Sequence, residues 1–322
     1  MLPPKDALTI CFAHAAYRMQ ERFDLRGTGI RSIEVRDRAS LESRIAEADV
    51  LSVSGLWNDA LIPRAPKLRF IQSISAGVDQ YGKDALRGAG IRLASAQGAN
   101  ARAVSEHAMA LILALSRLLP EARDNQARRH WRGMIGDLSR REDELGGKTL
   151  LIVGLGRIGG RLAQLAKAFD LKVIGIRRDP AGGRGAADQV HGLDELKALL
   201  SQADFVALTC PLTPETEGLI DAEALALMRP SAHLINVARG RVCVEAAVVE
   251  AMANNRIAGA ALDCTETEPL AQDSPLWTMP NVLITPHTAG ETRRYEDNVI
   301  NLLLENLDRL GRGEATLKNQ VV

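Results

Sequence analysis

Apolar residues along this chain follow two rhythms. Short, nearly continuous runs, ALTICFA (7–13), IRSIEV (30–35), DVLSVSG (49–55), FIQSISA (70–76) and IRLASA (91–96), predict strands, and LESRIAEA (41–48) predicts a short helix between two of them. From Ala101 a longer period begins. Val104, Ala108, Leu111, Ile112, Leu115 and Leu118 mark one face of a helix expected to end near Pro120 and to bridge into a second series of units. That series has strands at 150–153, LKVIGI (171–176), DFVALTC (204–210), AHLINVA (232–238), IAGAALD (257–263) and VLITP (282–286), with helices such as 193–202 and 244–255 between them. A last helix, from about Glu291 to Leu310, carries Val299, Leu302, Leu303 and Leu307 on one face and is expected to pack back on the first domain. Alternating strands and helices predict parallel sheets covered by helices. The expected architecture is α/β: two Rossmann-like or flavodoxin-like doubly wound domains with a cleft between them. Residues 1–100 plus 288–322 form the first domain and 101–287 the second.

The most informative stretch is TLLIVGLGRIGG, Thr149 to Gly160. A buried strand runs into Gly154, Gly156 and Gly159, and an amphipathic helix with Leu162, Leu165 and Ala166 on one face follows. Each glycine has its own reason: Gly154 allows the turn, Gly156 lets backbone approach a pyrophosphate, and Gly159 lets the helix pack closely on the strand. Arg157 and Ile158 open the helix, whose N–H groups and positive dipole end would face phosphates. In this setting the pattern predicts a dinucleotide site.

Composition narrows the rest. Forty basic residues balance forty acidic ones, so no global field favours nucleic acid or an anionic membrane. No apolar run approaches a membrane span and the first residues lack a signal-peptide pattern. Cys11, Cys210, Cys243 and Cys264 are scattered without metal-ligand spacing, so they are expected to be reduced and mostly buried, no metal is expected, and the compartment is taken as cytoplasmic.

The choice of nucleotide turns on the end of the second strand. An acid about 20 positions after the glycine turn binds ribose hydroxyls, whereas arginine accommodates a 2′-phosphate. Here Arg177 and Arg178 follow Ile176, and a guanidinium can grip a phosphate through two parallel hydrogen bonds. The expected cofactor is NADP, with NAD possible. In the competing reading both arginines are surface residues and Asp179 binds the ribose.

Three later strands each end in a residue able to do chemistry: Arg239 after LINVA, Glu268 after LDCTET and His287 after LITP. Loops beyond the carboxyl ends of parallel strands face the ligand crevice, so the three can converge. Singly, each has a plainer alternative: a capping arginine, a surface acid, a packed histidine.

The motifs SISAGVD (73–79), NARAVSEHAMALIL (100–113), GLGRIGG (154–160), PLTPETEGLI (211–220), INVARGRV (235–242), ALDCTETEPL (261–270) and ITPHTAGET (284–292) cover nearly the whole chain. Together they resemble the D-isomer-specific 2-hydroxyacid dehydrogenase family, in particular its glyoxylate/hydroxypyruvate reductases. The resemblance implies that Arg239, Glu268 and His287 are the catalytic arginine, glutamate and histidine. It also implies that Asp263 contacts the nicotinamide carboxamide, that Pro211, Thr216 and Val237 line the cofactor, and that the N–H groups of Ala76 and Gly77 hold the substrate carboxylate. It further implies a small 2-keto or 2-hydroxy acid as partner and a homodimer formed through the cofactor domain.

The chemistry is consistent with those roles. A keto acid that accepts hydride needs a proton on its oxygen; His287 can donate it, its protonated form favoured by Glu268, while Arg239 orients the acid and steadies the developing charge. Cys264 and Thr265 depart from the family pattern beside Glu268. Trp57, after the strand ending at Gly55, is either a wall of the substrate pocket or local core. The functional expectation is an NADP-dependent reductase of small 2-keto acids. Its alternatives are an NAD-dependent dehydrogenase of another 2-hydroxy acid and a nucleotide-sensing binding protein similar to corepressors of this fold.

Overall fold

The computed structural model describes residues 2–322, which divide into two compact units, 2–100 with 291–322, and 101–290. In chain order the first unit contains β1 (Thr9–Ala13), α1 (Met19–Asp24), β2 (Arg31–Val35), α2 (Arg38–Arg44), β3 (Val50–Val53), β4 (Phe70–Ser73), α3 (Lys83–Gly88) and β5 (Arg92–Ala94). The second contains α4 (Ala101–Ser116), α5 (Leu119–Ala127), β6 (Thr149–Val153), α6 (Arg157–Ala168), β7 (Lys172–Ile176), β8 (Gln189–His191) and α7 (Leu196–Leu200). It continues with β9 (Phe205–Leu208), α8 (Ala222–Leu227), β10 (His233–Asn236), α9 (Glu245–Ala253), β11 (Gly259–Leu262) and β12 (Val282–Ile284). The last helix, α10 (Tyr295–Gly311), belongs to the first unit and packs beside α1.

Among the described residues the first unit holds a five-stranded sheet in the order β2-β1-β3-β4-β5, and the second a seven-stranded sheet in the order β12-β11-β10-β9-β6-β7-β8. Every pairing between these strands is parallel. Parallel strands are covered on both faces, and the side chains show it. Along β1, Ile10 and Phe12 join a cluster with Phe23, Phe70, Val299 and Leu303, while Cys11 and Ala13 join another with Leu51, Ile71 and Leu93. In β6, Leu150 and Ile152 face α4 and α6, and Leu151 and Val153 face the side with Leu199, Leu225 and Val248. All four cysteines are unpaired and buried. Among the described residues no single helix is long and apolar enough to cross a membrane.

Several boundaries differ from the expectation. The long helix stops at Ser116, and Pro120 lies in the first turn of α5, beyond a left-handed Leu118 (φ 50°). Proline is tolerated there because that N–H has no partner within a helix. Most strands are also shorter than the apolar runs: β3 stops at Val53 and β4 at Ser73, and the residues that follow form turns at the carboxyl ends of the sheet. Trp57 is core. It is 4% exposed, packs in the cluster of Leu61 and Leu86, and donates from Nε1 to Asp59 Oδ1 at 3.0 Å.

Candidate active site

The turn after β6 is built from backbone. Gly154 has φ +103°, and a Cβ on it would lie 2.5 Å from the N of Cys210. A Cβ on Gly159 would lie 2.4 Å from the Gly154 oxygen and 2.8 Å from Thr209 Oγ1, so only glycine lets α6 come this close to the strand ends. Gly156 is different. A Cβ there would meet nothing nearer than 4.0 Å, and no side chain caps α6, which starts at Arg157. Ile158 packs partly against the core below, and Arg157 is exposed. The opening of α6 is thus a cradle of main-chain amides with open space in front of Gly156, which fits a dinucleotide pyrophosphate.

Arg177 and Arg178 follow β7. Arg177 is half-buried, and its Nη1 donates to the carbonyls of Gly182 (3.0 Å) and Gly183 (2.8 Å) in the next loop, while Arg178 is exposed. Asp179 Oδ1 accepts the Ala181 N–H at 3.1 Å, capping a short 3-10 turn. Thr216 closes the loop after β9, its Oγ1 donating to the Pro211 carbonyl (2.7 Å) and accepting the Thr213 N–H (2.8 Å). Val237 is buried at the end of β10, packed in the cluster that includes Ile152 and Ala207.

Arg239 owes its position to Asn236, a residue the sequence reading did not single out. Asn236 is 1% exposed; its Oδ1 accepts the Ala238 N–H (3.0 Å) and its Nδ2 donates to the Arg239 carbonyl (3.0 Å), fixing the turn. Gly240 presses against the neighbouring loop, since a Cβ there would overlap the Thr265 carbonyl at 1.9 Å. The Arg239 turn therefore sits directly on the loop that carries Glu268. The guanidinium donates to Ala238 O (2.7 Å) and makes no ion pair among the described residues.

The structure brings Glu268 and His287 together: Glu268 Oε2 lies 2.7 Å from His287 Nδ1, and Glu268 Oε1 accepts the Thr265 N–H at 3.2 Å. An ionised carboxylate only accepts, so Nδ1 carries the proton in this bond and Nε2 is the nitrogen left to exchange one with a ligand. Both side chains are partly exposed, which screens the pair and makes its function one of orientation more than of stability. The departures beside Glu268 are accommodated locally. Thr265 Oγ1 donates to Thr267 O (2.9 Å), and the buried Cys264 thiol, pushed up to about 12 by burial, stays protonated and donates to Asn236 O.

His287 adopts φ +55°, a left-handed conformation uncommon for a side chain of this size, so the loop must be held. Asp263 holds it. This carboxylate is 2% exposed; Oδ1 accepts from Thr285 Oγ1 (2.6 Å) and from the Thr288 (3.0 Å) and Ala289 (3.2 Å) N–H groups, and Oδ2 accepts the Ala289 N–H at 3.1 Å. His107 on α4 completes the cluster, its Nε2 3.0 Å from Thr285 Oγ1. The motif around His107 was visible in the sequence, but its contact spans 178 positions and only the fold reveals it.

In the first unit, Ala76 and Gly77 follow β4 and are half-buried, and their N–H groups make no hydrogen bond within the described chain. Serine bonds shape the approach to them: Ser73 Oγ donates to Ser75 O (3.0 Å), and the Ser75 N–H donates back to Ser73 Oγ (3.1 Å).

A strand, glycine turn and helix at the switch point of a parallel sheet, with a histidine–carboxylate pair at the ends of neighbouring strands, define the class of nucleotide-dependent oxidoreductase-like folds. The model of the D-isomer specific 2-hydroxyacid dehydrogenase NAD-binding domain matches residues 109–289, and the chain belongs to this family. It is 38% identical over 273 residues to a D-3-phosphoglycerate dehydrogenase of Mycobacterium tuberculosis, covering 83% of this chain and 50% of that protein. The chain spans about half the length of the phosphoglycerate dehydrogenases it matches. To glyoxylate/hydroxypyruvate reductase B of Escherichia fergusonii it is 36% identical over 308 residues, covering 91% of this chain and 92% of the relative. A solved NADPH-dependent glyoxylate/hydroxypyruvate reductase of Sinorhizobium meliloti, in complex with NADP and malonate, superposes with a TM-score of 0.81 at 26% identity, over 98% of this chain and 97% of the other.

Proposed function

We propose that this chain is an NADP-dependent reductase of small 2-keto acids, of the glyoxylate/hydroxypyruvate type, yielding D-2-hydroxy acids. The observation that carries this reading is the 2.7 Å contact of Glu268 with His287, on a loop pinned by Asp263 and beside the Arg239 turn. The amide cradle around Gly154, Gly156 and Gly159, with Pro211, Thr216 and Val237 nearby in the same unit, would hold the dinucleotide. Asp263 Oδ2 accepts one N–H and keeps a lone pair for the carboxamide. A reduced nicotinamide held there would supply the chemistry of hydride transfer, two electrons and a hydrogen nucleus, for the keto carbon.

The residues of the chain do the rest. Arg239 grips the carboxylate and carbonyl oxygen of the acid, and Ala76 and Gly77 offer free N–H groups to the carboxylate. His287, protonated, delivers the proton from Nε2 to the carbonyl oxygen as charge builds on it, and Glu268 keeps the ring aligned and balances its charge. The products are the hydroxy acid and oxidised cofactor. In the opposite direction neutral His287 is the base.

Support for NADP comes from Arg177 and Arg178 at the ribose position and from Asp179, whose carboxylate caps its own turn. A second reading, an NAD-dependent dehydrogenase acting on 3-phosphoglycerate, draws on the 38% identity to that group. Turnover of glyoxylate, hydroxypyruvate, pyruvate and 3-phosphohydroxypyruvate with NADPH and NADH decides between them. The proposal expects hydroxypyruvate or glyoxylate with NADPH to give the highest kcat/KM; better efficiency with NADH removes the cofactor assignment, and no reduction of any keto acid removes the activity. The exposed Trp131 (96%), Met134 (100%) and Leu138 (75%) of the second unit support a homodimer, to be tested by sedimentation.

A further inference from the structure

In the five-stranded sheet, β1 has β2 on one side and β3 on the other, so its topological switch point lies at the carboxyl ends of β1 and β3. A parallel sheet of this order opens its ligand crevice there. Ala13, Val53 and Ser73 end the three adjacent strands in register, which sets His14, Ser54 and Ile74 in the next row. Neighbouring strands are about 4.8 Å apart, so the backbone at His14 stands roughly 10 Å from the start of the Ser75–Gly77 turn, a span suited to a molecule of a few carbon atoms.

His14 is prepared as a donor. Its Nδ1 accepts the N–H groups of Ala16 (3.1 Å) and Tyr17 (2.9 Å), which leaves the proton of the neutral ring on Nε2. No group among the described residues accepts from Nε2, and the side chain is partly exposed. The ring is held flat against Tyr17 (centroids 4.2 Å apart, 11° between planes), Tyr17 packs on Tyr295, and the Tyr295 hydroxyl donates to the Ile74 carbonyl at the root of the Ala76–Gly77 turn. Burial, followed by the Arg36 guanidinium, holds His14 below its ordinary value against the opposite pull of Glu296 and Glu291, so it is neutral at physiological pH.

The charges around it argue about the ligand. Arg36 is committed: Nη1 donates to the carbonyls of Ala16 and Tyr17, and Nη2 pairs with Glu34. Besides Arg36, the charges that act on His14 are the carboxylates of Glu296, which also accepts the Arg18 N–H at 3.3 Å, and Glu291. Such a site receives an uncharged oxygen and repels a second anion.

Building on the reductase reading above, we propose that His14 is a specificity-determining residue that donates from Nε2 to an uncharged hydroxyl on the carbon next to the keto group. The crevice at the ends of β1, β3 and β4 would thereby select short hydroxylated 2-keto acids over their phosphorylated or dicarboxylic counterparts.

Hydroxypyruvate and pyruvate differ by that single hydroxyl, and 3-phosphohydroxypyruvate replaces it with a dianion. kcat/KM is measured for all three with wild type, His14→Phe and His14→Gln, together with the KM for NADPH as a check of folding. The wild type should prefer hydroxypyruvate to pyruvate and reduce the phosphorylated acid least. His14→Phe should lower the hydroxypyruvate-to-pyruvate ratio about tenfold, and His14→Gln, which keeps a donor, should lower it less. A ratio unmoved by His14→Phe in a working reductase, or a wild type that favours the phosphorylated acid, overturns this assignment alone. A wild type inert toward every keto acid overturns the reductase reading and this assignment with it.

Discussion

The chain leaves β6, at the switch point of the seven-stranded sheet, through Gly154, Leu155 and Gly156, and it leaves β1, at the switch point of the five-stranded sheet, through His14, Ala15, Ala16 and Tyr17. The topological position is the same in both sheets, and the furnishing is opposite. After β6 the side chains are stripped away so that main-chain amides stand in the open. After β1 the turn is packed with rings, and one imidazole nitrogen is left to donate. Phosphates of a dinucleotide are the same in every cofactor of the class and can be read by backbone. The substituent of a small acid varies, and only a side chain can tell one from another. Parallel topology supplies the crevice; the residues just past the strand ends decide what enters it.

The largest test of this contrast concerns a place where the second unit does rely on side chains. His287→Ala should lower kcat by about two to four orders of magnitude in keto-acid reduction followed through cofactor oxidation, with cofactor KM little changed. Arg239→Ala should raise substrate KM and lower kcat together if, as proposed, that guanidinium meets both the carboxylate and the reacting oxygen. Near-normal kinetics of His287→Ala would mean that the contact of Glu268 with His287 is only structural, and near-normal kinetics of Arg239→Ala would remove that guanidinium from the site.

Much of this is legible in the sequence, and what is not shares a physical cause. The glycine turn, the strand runs and the three chemical residues are local signals, each contained in a stretch of about ten residues. Asn236, which shapes the Arg239 turn, and Asp263, whose oxygens grip residues 285 to 289, act through contacts that the pattern of apolar positions does not encode. The short edge strand β8 has little apolar pattern, and the periodicity of the chain does not predict it. Trp57 was ambiguous because burial of an aromatic at a strand end depends on what the later chain, here Tyr81 and Leu86, lays over it. Pro120 reads as a stop in the sequence, although the same residue is acceptable in a first helical turn.

A smaller effect separates the two demands on the glycine turn. Gly159→Ala would drive a methyl against the Gly154 carbonyl, so α6 must shift; unfolding stability should fall by about 1–3 kcal/mol and dinucleotide affinity should fall with it. Gly156→Ala meets nothing nearer than 4.0 Å and should leave Tm unchanged while weakening dinucleotide binding, since its methyl would stand in the space proposed for the phosphates. Thermal melts with and without cofactor check both. Equal effects of the two substitutions on Tm would erase the distinction between a glycine kept for packing and one kept for a ligand.

An effect on stability alone, and absent at neutral pH, lies at the opposite end of the strand that leads to Arg239. His233 begins β10, its ring stacked on Phe205 (centroids 5.5 Å apart) and its Nδ1 buried without a partner. Burial, helped by the Lys148 ammonium and opposed by Asp143 and Asp204, lowers it from 6.5 to about 4. Between those values the unfolded chain binds a proton that the native ring refuses. The stabilisation is therefore fully present above pH 6.5 and lost as pH falls toward about 4, with a magnitude on the order of 3 kcal/mol. His233→Phe removes the group while keeping a stacked ring. Denaturant unfolding from pH 7 to pH 4 should show wild type losing more stability than the variant, with the gap opening below pH 6.5; parallel curves would show that the native ring accepts the proton freely. The kinetic behaviour of His287 should be the same in both proteins, because the amino end of a parallel strand contributes to stability while chemistry is confined to the carboxyl end.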